Sequence, residues 1–378
     1  MNKRFFPLSA VLALAVGVPA AGAADGNGGA ASVDEPTTGE TTPAATDSIP
    51  SESGPAATGD KACVIIQGNI ADRGFNQSAW EGAQSGGEAV GLEAQYIATS
   101  QESEHQPAIA AYLDQPCQII VTVSFALTDA TAAAAAENPD QQFAIVDVAY
   151  TPPIPNVRGL VFDSAQSSFL AGYLAAGMSQ TGVVGVYGGV KIPPVTLFMD
   201  GYAQGIDHYN EINGTDVQLL GWDFESQDGT FVGNFEDAAR GKQIAETMIQ
   251  QDADVIFGLG GGPDFGAAEA IKSEGAGEVM MIWPNHDGCI AIPDFCDVIL
   301  TTVEKDVEVL VDQAVRDAGE GTFAGGTYVG TLENGGVGLS PFHEFEEDVP
   351  QELKDELQAI TEQIIAGEIT VESPSLPA

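Results

Sequence analysis

The residues best suited to ligand chemistry in this sequence stand directly after short apolar runs that predict β-strands. The first such run, 63–67, leads into Asp72-Arg-Gly-Phe75-Asn76. The carboxylate of Asp72 can accept hydrogen bonds from hydroxyl groups, and Phe75 offers a flat aromatic face. Open α/β sheets bind their ligands at the carboxyl ends of strands. The segment therefore predicts one wall of a small-molecule site, and the alternative is a plain loop in which Asn76 or Gly74 caps a helix and Phe75 enters the core.

A carboxylate and an ammonium group follow two later runs. Asp147 lies at the end of the run that starts at Phe143, and Lys305 follows the run 298–303. Lys305 is notable because only ten basic residues remain once Lys3 and Arg4 of the N-terminus are set aside (12 − 2 = 10). Both residues are candidate ligand contacts.

Three consecutive glycines, Gly260 to Gly262, follow the run 255–258. Their backbone N–H groups could cradle a ligand at the start of a helix, which makes Gly261 a candidate contact. A tight turn from strand to helix is the interpretation that we favour for the same residues.

The sequence contains none of the common catalytic motifs. There is no GxSxG elbow, no HExxH, no GxxxxGK[ST] loop and no GxGxxG after the first strand. The four histidines show no metal-ligand spacing; they are His105, His208, His286 and His343. We therefore predict no catalytic residues, no metal site and no cofactor.

The four cysteines predict two disulfides. An even number in an exported chain favours disulfide bonds over metal or redox chemistry. Cys63 and Cys117 open two similar apolar runs, which as parallel neighbours in one sheet would place their sulfurs side by side. Cys289 and Cys296 would close a small local loop.

The elements that must position these residues alternate along the chain from Lys61 onward. Short apolar runs are separated by helical stretches, a pattern typical of right-handed βαβ units and parallel sheets covered on both faces. The predicted strands are 63–67, 94–98, 118–123, 143–148, 158–162, 183–187, 217–222, 255–258, 279–283 and 298–303. This number favours two doubly wound lobes in tandem over a single eight-stranded barrel. A late β-rich stretch, 326–339, followed by a helix at 351–366, suggests that the chain returns to an earlier lobe.

The acidic composition argues against nucleic acid and anionic membranes as binding partners. The 378 residues include 55 acidic and 12 basic side chains, for a formal net charge of −43. Such a polyanion lacks the Lys and Arg side chains that supply most affinity for nucleic acid or for an anionic bilayer. The hydrophobic fraction of 44% is ample for a buried core, and the length suggests two packed units.

The N-terminus predicts export. Lys3 and Arg4 precede a short apolar run, and Ala21-Gly-Ala23 follows as a small-residue cleavage site. We expect a signal peptide at 1–23, with a retained membrane anchor as the alternative, and a disordered acidic linker at 24–60. No cysteine lies near the cleavage site, so we expect a secreted or periplasmic protein without a lipid anchor and without membrane insertion.

The motifs together resemble a known family. The string Asp72 to Gly82 is similar to the signature of the basic membrane protein family of substrate-binding lipoproteins, the solute receptors of ABC transporters, which include purine nucleoside receptors. The resemblance extends over some 300 residues. Further similar segments are 125–130, 139–147, 169–176, 201–205, 235–242, 252–256, 300–305, 335–338 and 365–369.

The resemblance implies a type I periplasmic-binding fold, in which two α/β lobes are joined by three hinge strands and close on the ligand. We expect the N-terminal lobe to comprise 61–163 and 288–325, and the C-terminal lobe 164–287 and 326–350, with a C-terminal helix and tail at 351–378.

The resemblance also implies ligand contacts. In nucleoside-binding members aromatic rings enclose the base, while acids, an Asn and a Lys hold the ribose. Phe75, Asn76, Asp147 and Lys305 match those positions, and Phe235 is the candidate second ring. The sequence departs from the family at two places. Gln67-Gly-Asn69 stands where an Asp usually ends the first strand, and the second-lobe acid is displaced or lost, with Asp287 as the candidate that remains.

We therefore expect a monomeric receptor without catalytic activity that delivers a nucleoside-like molecule to the permease subunits of an ABC importer. Two alternatives remain. The first is a receptor for a sugar or another small polar solute, and the second is a surface protein carried on an acidic stalk.

Overall fold

The structure, a computed structural model, describes residues 59–275 and 277–376. The predicted signal peptide at 1–23 and the linker up to residue 58 lie outside the described residues. Within them, no helix combines the length and the apolar character needed to cross a membrane.

Six parallel strands form the sheet of the first lobe. They are β1 (Lys61–Gln67), β2 (Glu93–Thr99), β3 (Cys117–Val123), β4 (Gln142–Val146), β5 (Val157–Phe162) and β13 (Gly326–Gly330), and their order is β13-β5-β4-β3-β1-β2. The central strands β1, β3 and β4 are apolar along almost their whole length because helices cover both faces of the sheet.

Four helices cover the first sheet. They are α1 (Phe75–Val90), α2 (His105–Leu113), α3 (Thr128–Glu137) and α9 (Val307–Glu320). The helices α1 and α9 pack closely because α1 carries glycine where the backbones meet: a Cβ on Gly82 would lie 2.2 Å from the carbonyl oxygen of Glu308. The first helix is thereby fixed against the sheet, with its N-terminus at the carboxyl edge of β1.

The second lobe has a sheet of six strands, five of them parallel. They are β6 (Val183–Gly188), β7 (Gln218–Leu220), β10 (Val255–Leu259), β11 (Met280–Asn285), β12 (Ile299–Lys305) and the antiparallel β14 (Val337–Leu339), in the order β14-β12-β11-β10-β6-β7. A small hairpin of β8 (Trp222–Asp223) and β9 (Asp228–Gly229) adjoins it.

The helices of the second lobe surround this sheet. They are α4 (Ser164–Met178), α5 (Pro193–Asn213), α6 (Ala238–Ile249), α7 (Gly262–Glu274), α8 (Gly288–Ala291) and α10 (Gln351–Ile365). The apolar face of α10 places Leu353, Leu357, Ile360 and Ile364 in the core of this lobe. The C-terminal helix is therefore an integral part of the second lobe.

The strand pairing corrects two of the expected lobe boundaries. Residues 299–305, expected in the first lobe, form β12 beside β11 in the second sheet. Residues 326–330, expected in the second lobe, form β13 beside β5 in the first sheet. The chain thus crosses between the sheets three times, after Phe162, after Lys305 and after Gly330. The local sequence did not predict these assignments. The buried strand β12 has an apolar pattern that would fit either sheet, and β13 is an exposed edge strand whose sequence does not indicate which sheet it joins.

Candidate functional site

The two lobes are joined by a buried ion pair. Asp147 follows β4 of the first sheet, and Lys305 is the last residue of β12 in the second sheet. The Nζ atom of Lys305 lies 2.7 Å from Oδ1 and 2.8 Å from Oδ2 of Asp147. The side chains are only 3% and 9% exposed, respectively. Burial raises the pKa of Asp147, and the nearby Lys305 ammonium opposes that rise. The sequence named both residues, and the structure brings them together.

The backbone at Asp147 adopts an uncommon conformation, with φ at +68°. Left-handed φ values are uncommon outside glycine, and aspartate is one of the side chains that accept them most readily. The amide of Asp147 donates to the carbonyl of Leu160 on β5, which fixes this conformation at the end of the sheet. The carboxylate is thereby held toward Lys305.

Three aromatic rings surround the Lys305 ammonium. Its Nζ atom lies 4.9 Å from the ring centre of Phe75, 5.1 Å from that of Phe162 and 5.7 Å from that of Phe198. These distances are within the range of cation–π attraction. Phe75 was expected at the site, whereas Phe162 and Phe198 were not, because each lies within an apolar segment that predicts ordinary core.

Asp72 caps the first helix. Its carboxylate accepts hydrogen bonds from the backbone N–H groups of Gly74, Asn76 and Gln77, at 3.0, 2.8 and 3.1 Å. Burial raises the pKa of Asp72, while these N–H donors oppose the rise. The capping alternative considered for this loop is thus what the geometry shows: Gly74 is the N-cap residue of α1, and the carboxylate of Asp72 accepts from the N–H groups of the first turn.

The side chain of Asn76 joins the start of the helix to the end of β1. Its Nδ2 group donates to the carbonyls of Gln67 and Asn69, each at 3.1 Å. Its Oδ1 atom is buried without a hydrogen-bond partner in the structure. Since buried acceptors are normally satisfied, this oxygen is available to a donor on a ligand.

Phe235 and the glycine loop form a second-lobe surface. The side chain of Phe235 is 42% exposed, and a Cβ on Gly189 would lie 2.4 Å from its ring. The carbonyl of Phe235 accepts from the N–H of Gly262 at 3.1 Å. The N–H of Gly261 points inward and donates to Asp264 at 2.8 Å. The structure therefore shows the strand-to-helix turn that we favoured for the glycines. The N–H of Gly261 is bonded to Asp264 and does not face a ligand.

Asp287 lies in a separate network. It caps α8 through the N–H of Cys289 at 2.9 Å, and Nε2 of His343 lies 2.7 Å from its Oδ2. Cys289 is bonded to Cys296, so its sulfur is not a free metal ligand. Asn285 and His286, which stand beside Asp287 in the sequence, line the cavity next to Lys305 instead.

Two cavities border these residues. One of about 250 Å³ lies beside Lys305, and its other walls include Ser78, Asn285, His286 and Glu304. A larger one of about 1000 Å³ lies at the carboxyl edge of the first sheet, and its lining residues include Gln67, His105, Phe125, Thr128 and Asp129. The sequence did not predict the contribution of His105, because a lone histidine on a helix carries no recognisable motif.

Both predicted disulfides are present. Cys63 is bonded to Cys117 across the neighbouring strands β1 and β3, and Cys289 is bonded to Cys296 around α8. The first bond ties together two strands whose carboxyl ends border the site.

Comparison with protein families decides the class of this protein. Residues 60–374 match the family described as "ABC transporter substrate-binding protein PnrA-like". The match covers nearly all of the described structure. The chain belongs to this family.

Relatives within the PnrA-like family resemble the chain over most of their length. The "ABC transporter nucleoside-binding protein BmpA" of Lactococcus lactis subsp. cremoris is 32% identical, over 85% of this chain and 91% of that protein. "Basic membrane protein A" of Borreliella burgdorferi is 29% identical, over 83% and 88%. The predicted family is therefore confirmed.

Solved structures support the same fold. An ABC transporter solute-binding protein from Aeropyrum pernix K1 superimposes with a TM-score of 0.75 at 25% identity, over 83% of this chain and 94% of that chain. This PnrA-like chain is accordingly a substrate-binding protein with the α/β periplasmic-binding architecture expected from its sequence.

Proposed function

We propose that this protein captures a nucleoside between its two lobes, outside the cytoplasm, and delivers it to the permease of an ABC importer. The observation that carries the proposal is the buried pair of Asp147 and Lys305, which joins the carboxyl edges of the two sheets beneath the ring of Phe75. A nucleoside has a flat base and a hydroxyl-rich ribose, and this site offers an aromatic ring beside a carboxylate and an ammonium.

Each contact has a distinct role in this proposal. Phe75 stacks on one face of the base and Phe235 on the other as the lobes close. Asp147 accepts hydrogen bonds from the ribose hydroxyls, Lys305 donates to the ribose, and the unpartnered Oδ1 of Asn76 accepts from the ligand. The printed name of the Lactococcus relative, a nucleoside-binding protein, supports this class of ligand.

The finer points of location also belong to the proposal. We infer that the chain is exported, cleaved near Ala24 and released without lipid, because Ala21-Gly-Ala23 is followed by no cysteine nearby. A relative from Pyrococcus abyssi is named a lipoprotein, so this part of the proposal predicts a difference from that relative. Intact-mass analysis of the exported protein tests this, and an acylated or uncleaved N-terminus would contradict it.

A thermal-shift screen followed by titration calorimetry tests the ligand class. Nucleosides, sugars and amino acids are compared, because a ligand that binds only the folded state stabilises it by RT ln(1 + [L]/Kd). We expect stabilisation by nucleosides and its loss in Lys305→Met. Stabilisation by a sugar alone would assign a different solute, and chromatographic detection of free base would reveal an enzyme.

A further inference from the structure

A carboxylate without a counter-ion is buried behind the second-lobe surface. Asp264, in the first turn of α7, is 0% exposed. Its oxygens accept from the hydroxyl of Tyr187 at 2.6 Å, from the N–H of Gly260 at 2.9 Å and from the N–H of Gly261 at 2.8 Å. Among the described residues, no Lys, Arg or His lies within ion-pair distance of it. Buried carboxylates are normally paired with a cation, so a buried carboxylate that is held by hydrogen bonds alone is unusual.

The loop around the carboxylate is built to receive it. A Cβ on Gly258 would lie 2.5 Å from Oδ1 of Asp264, and one on Gly260 would lie 3.0 Å from the same atom. Gly261 has φ at +68° and ψ at −110°, a conformation that side chains other than glycine rarely adopt. The glycines thus allow the backbone to close around the charge.

The same loop positions two contacts of the cleft. The N–H of Gly262 donates to the carbonyl of Phe235, the candidate second ring. The guanidinium carbon of Arg73 lies 5.9 Å from the ring centre of Phe265, the residue directly after Asp264. Arg73 belongs to the loop that leads into α1 of the first lobe. Asp264 therefore fixes a segment that touches both the proposed ligand surface and the opposite lobe.

We propose that Asp264 is a positioning residue that holds the second-lobe wall of the cleft through the glycine loop, so that neutralising its carboxylate weakens ligand capture. The ligand part of this inference rests on the proposed function. Asp264 acts through Gly260, Gly261 and Gly262 and does not itself touch the ligand.

The charge on Asp264 can change close to neutral pH. Burial raises its pKa to about 6, against the effect of the three donors, which lower it. The titratable group that faces it is Tyr187 of β6, whose own pKa is raised far above neutral by burial and by Asp264, so the phenol remains a donor. As the pH falls through about 6 the carboxylate gains a proton, and its charge-assisted hydrogen bonds to the loop weaken. Ligand affinity should fall in the same direction.

The test is titration calorimetry with inosine as the probe, from about pH 8 to about pH 5. For the wild type we expect an affinity loss of about five- to tenfold with a midpoint near 6, the scale of one weakened charged hydrogen bond. Asp264→Asn should remove that step. Tyr187→Phe removes a donor that lowers the Asp264 pKa and should move the midpoint to higher pH.

The matched control is Asp200→Asn. Asp200 is also 0% exposed, but it accepts from Trp222, Gln227 and Ser373, away from the glycine loop. This variant should keep the wild-type pH profile. Asp147 and Asp72 are present in every variant and do not contact Asp264, so a step that Asp264→Asn alone removes belongs to Asp264. A step that survives in Asp264→Asn would overturn the proposal.

A second measurement separates this inference from the proposed function. If inosine and other nucleosides fail to bind at every pH, the proposed function fails, and hydrogen exchange without ligand then decides the positioning role. Asp264→Ala should speed exchange in residues 233–236 and 260–262 more than Asp200→Ala does. Equal exchange in those segments would refute the positioning role.

Discussion

Lys305 is the side chain on which most contacts of the site converge. It is buried, bonded to Asp147 and surrounded by three phenylalanine rings. A buried charge of this kind is tolerated because its partner and the ring faces replace the water that it has lost. A ligand hydroxyl that enters the site finds an acceptor and a donor already fixed at hydrogen-bonding separation from each other.

The ion pair should show strong coupling in a double-mutant cycle. Lys305→Met leaves Asp147 buried without a cation, and we expect it to lower the free energy of unfolding by about 3–5 kcal/mol. Asp147→Asn should also destabilise the fold, whereas the double variant should lose clearly less than the sum. Urea unfolding of the four proteins measures the coupling, and additive losses would show that the two charges do not depend on each other.

Phe75 should contribute to binding more than to stability. Phe75→Ala removes a stacking face worth about 1–3 kcal/mol, so the Kd for a nucleoside should rise by about one to two decades. Phe143→Ala is the control, because Phe143 is 0% exposed in the first-lobe core and should lose about 3–5 kcal/mol of stability without changing the Kd of the folded protein. If Phe75→Ala instead destabilises the fold to the same extent and binds normally, Phe75 is a core residue.

Strands and helices bring the site residues together from distant parts of the chain. The carboxyl ends of β1, β4 and β12 carry Gln67, Asp147 and Lys305. The bond between Cys63 and Cys117 holds β1 and β3, and it links residues separated by 54 positions. The bond between Cys289 and Cys296 spans only 7 positions.

The two disulfides should differ in their effect on stability. In the chain-entropy account the longer loop is worth about 4 kcal/mol and the shorter loop about 2 kcal/mol. We therefore expect the double variant Cys63→Ser/Cys117→Ser to unfold at lower denaturant concentration than Cys289→Ser/Cys296→Ser. Chemical denaturation with peptide mapping of the bonds checks this, and the reverse order would mean that native-state contacts outweigh the loop lengths.

The charge of the whole chain bears on which ligands it can hold. The formal net charge is −43, and the basic side chains closest to the proposed cleft already have contacts. Lys305 is paired with Asp147, Lys191 donates to the carbonyl of Gln227, and Arg73 lies over Phe265. Only Lys305 is neutralised by a carboxylate, so a phosphate entering this field could pair only with Arg73 or Lys191 and would be opposed by the net negative charge of the protein.

The protein should accordingly prefer a nucleoside to its nucleotide. Titration with inosine and with inosine monophosphate at equal ionic strength should show much weaker binding of the monophosphate, because repulsion by the acidic protein opposes its two negative charges. Raising the salt concentration should reduce the difference in Kd between inosine and its monophosphate, because salt screens the repulsion. Tighter binding of the monophosphate would contradict the assignment of an uncharged ligand.

Much of this architecture could be predicted because it depends on local patterns. The alternation of apolar runs and helical stretches gave the strands to within a few residues, and the even number of cysteines, two of them opening similar strands, gave both disulfide pairs. The family resemblance gave the class of protein. The lobe boundaries at 288–325 and 326–350 failed because strand pairing is a long-range property, and β12 and β13 each pair across a crossover.

The α/β class, the disulfide pairs and the family follow from the amino-acid sequence alone, since they depend on periodicity, residue counts and ordered motifs. The use that is made of the polar groups became visible in the three-dimensional structure. It showed that Asp147 pairs with Lys305, that Asp72 caps a helix and that the N–H groups of the glycine loop serve Asp264. The reason is physical. A hydrogen bond or ion pair depends on the distance between two groups and on their burial, and neither quantity can be derived from the local sequence when the residues are far apart in the chain.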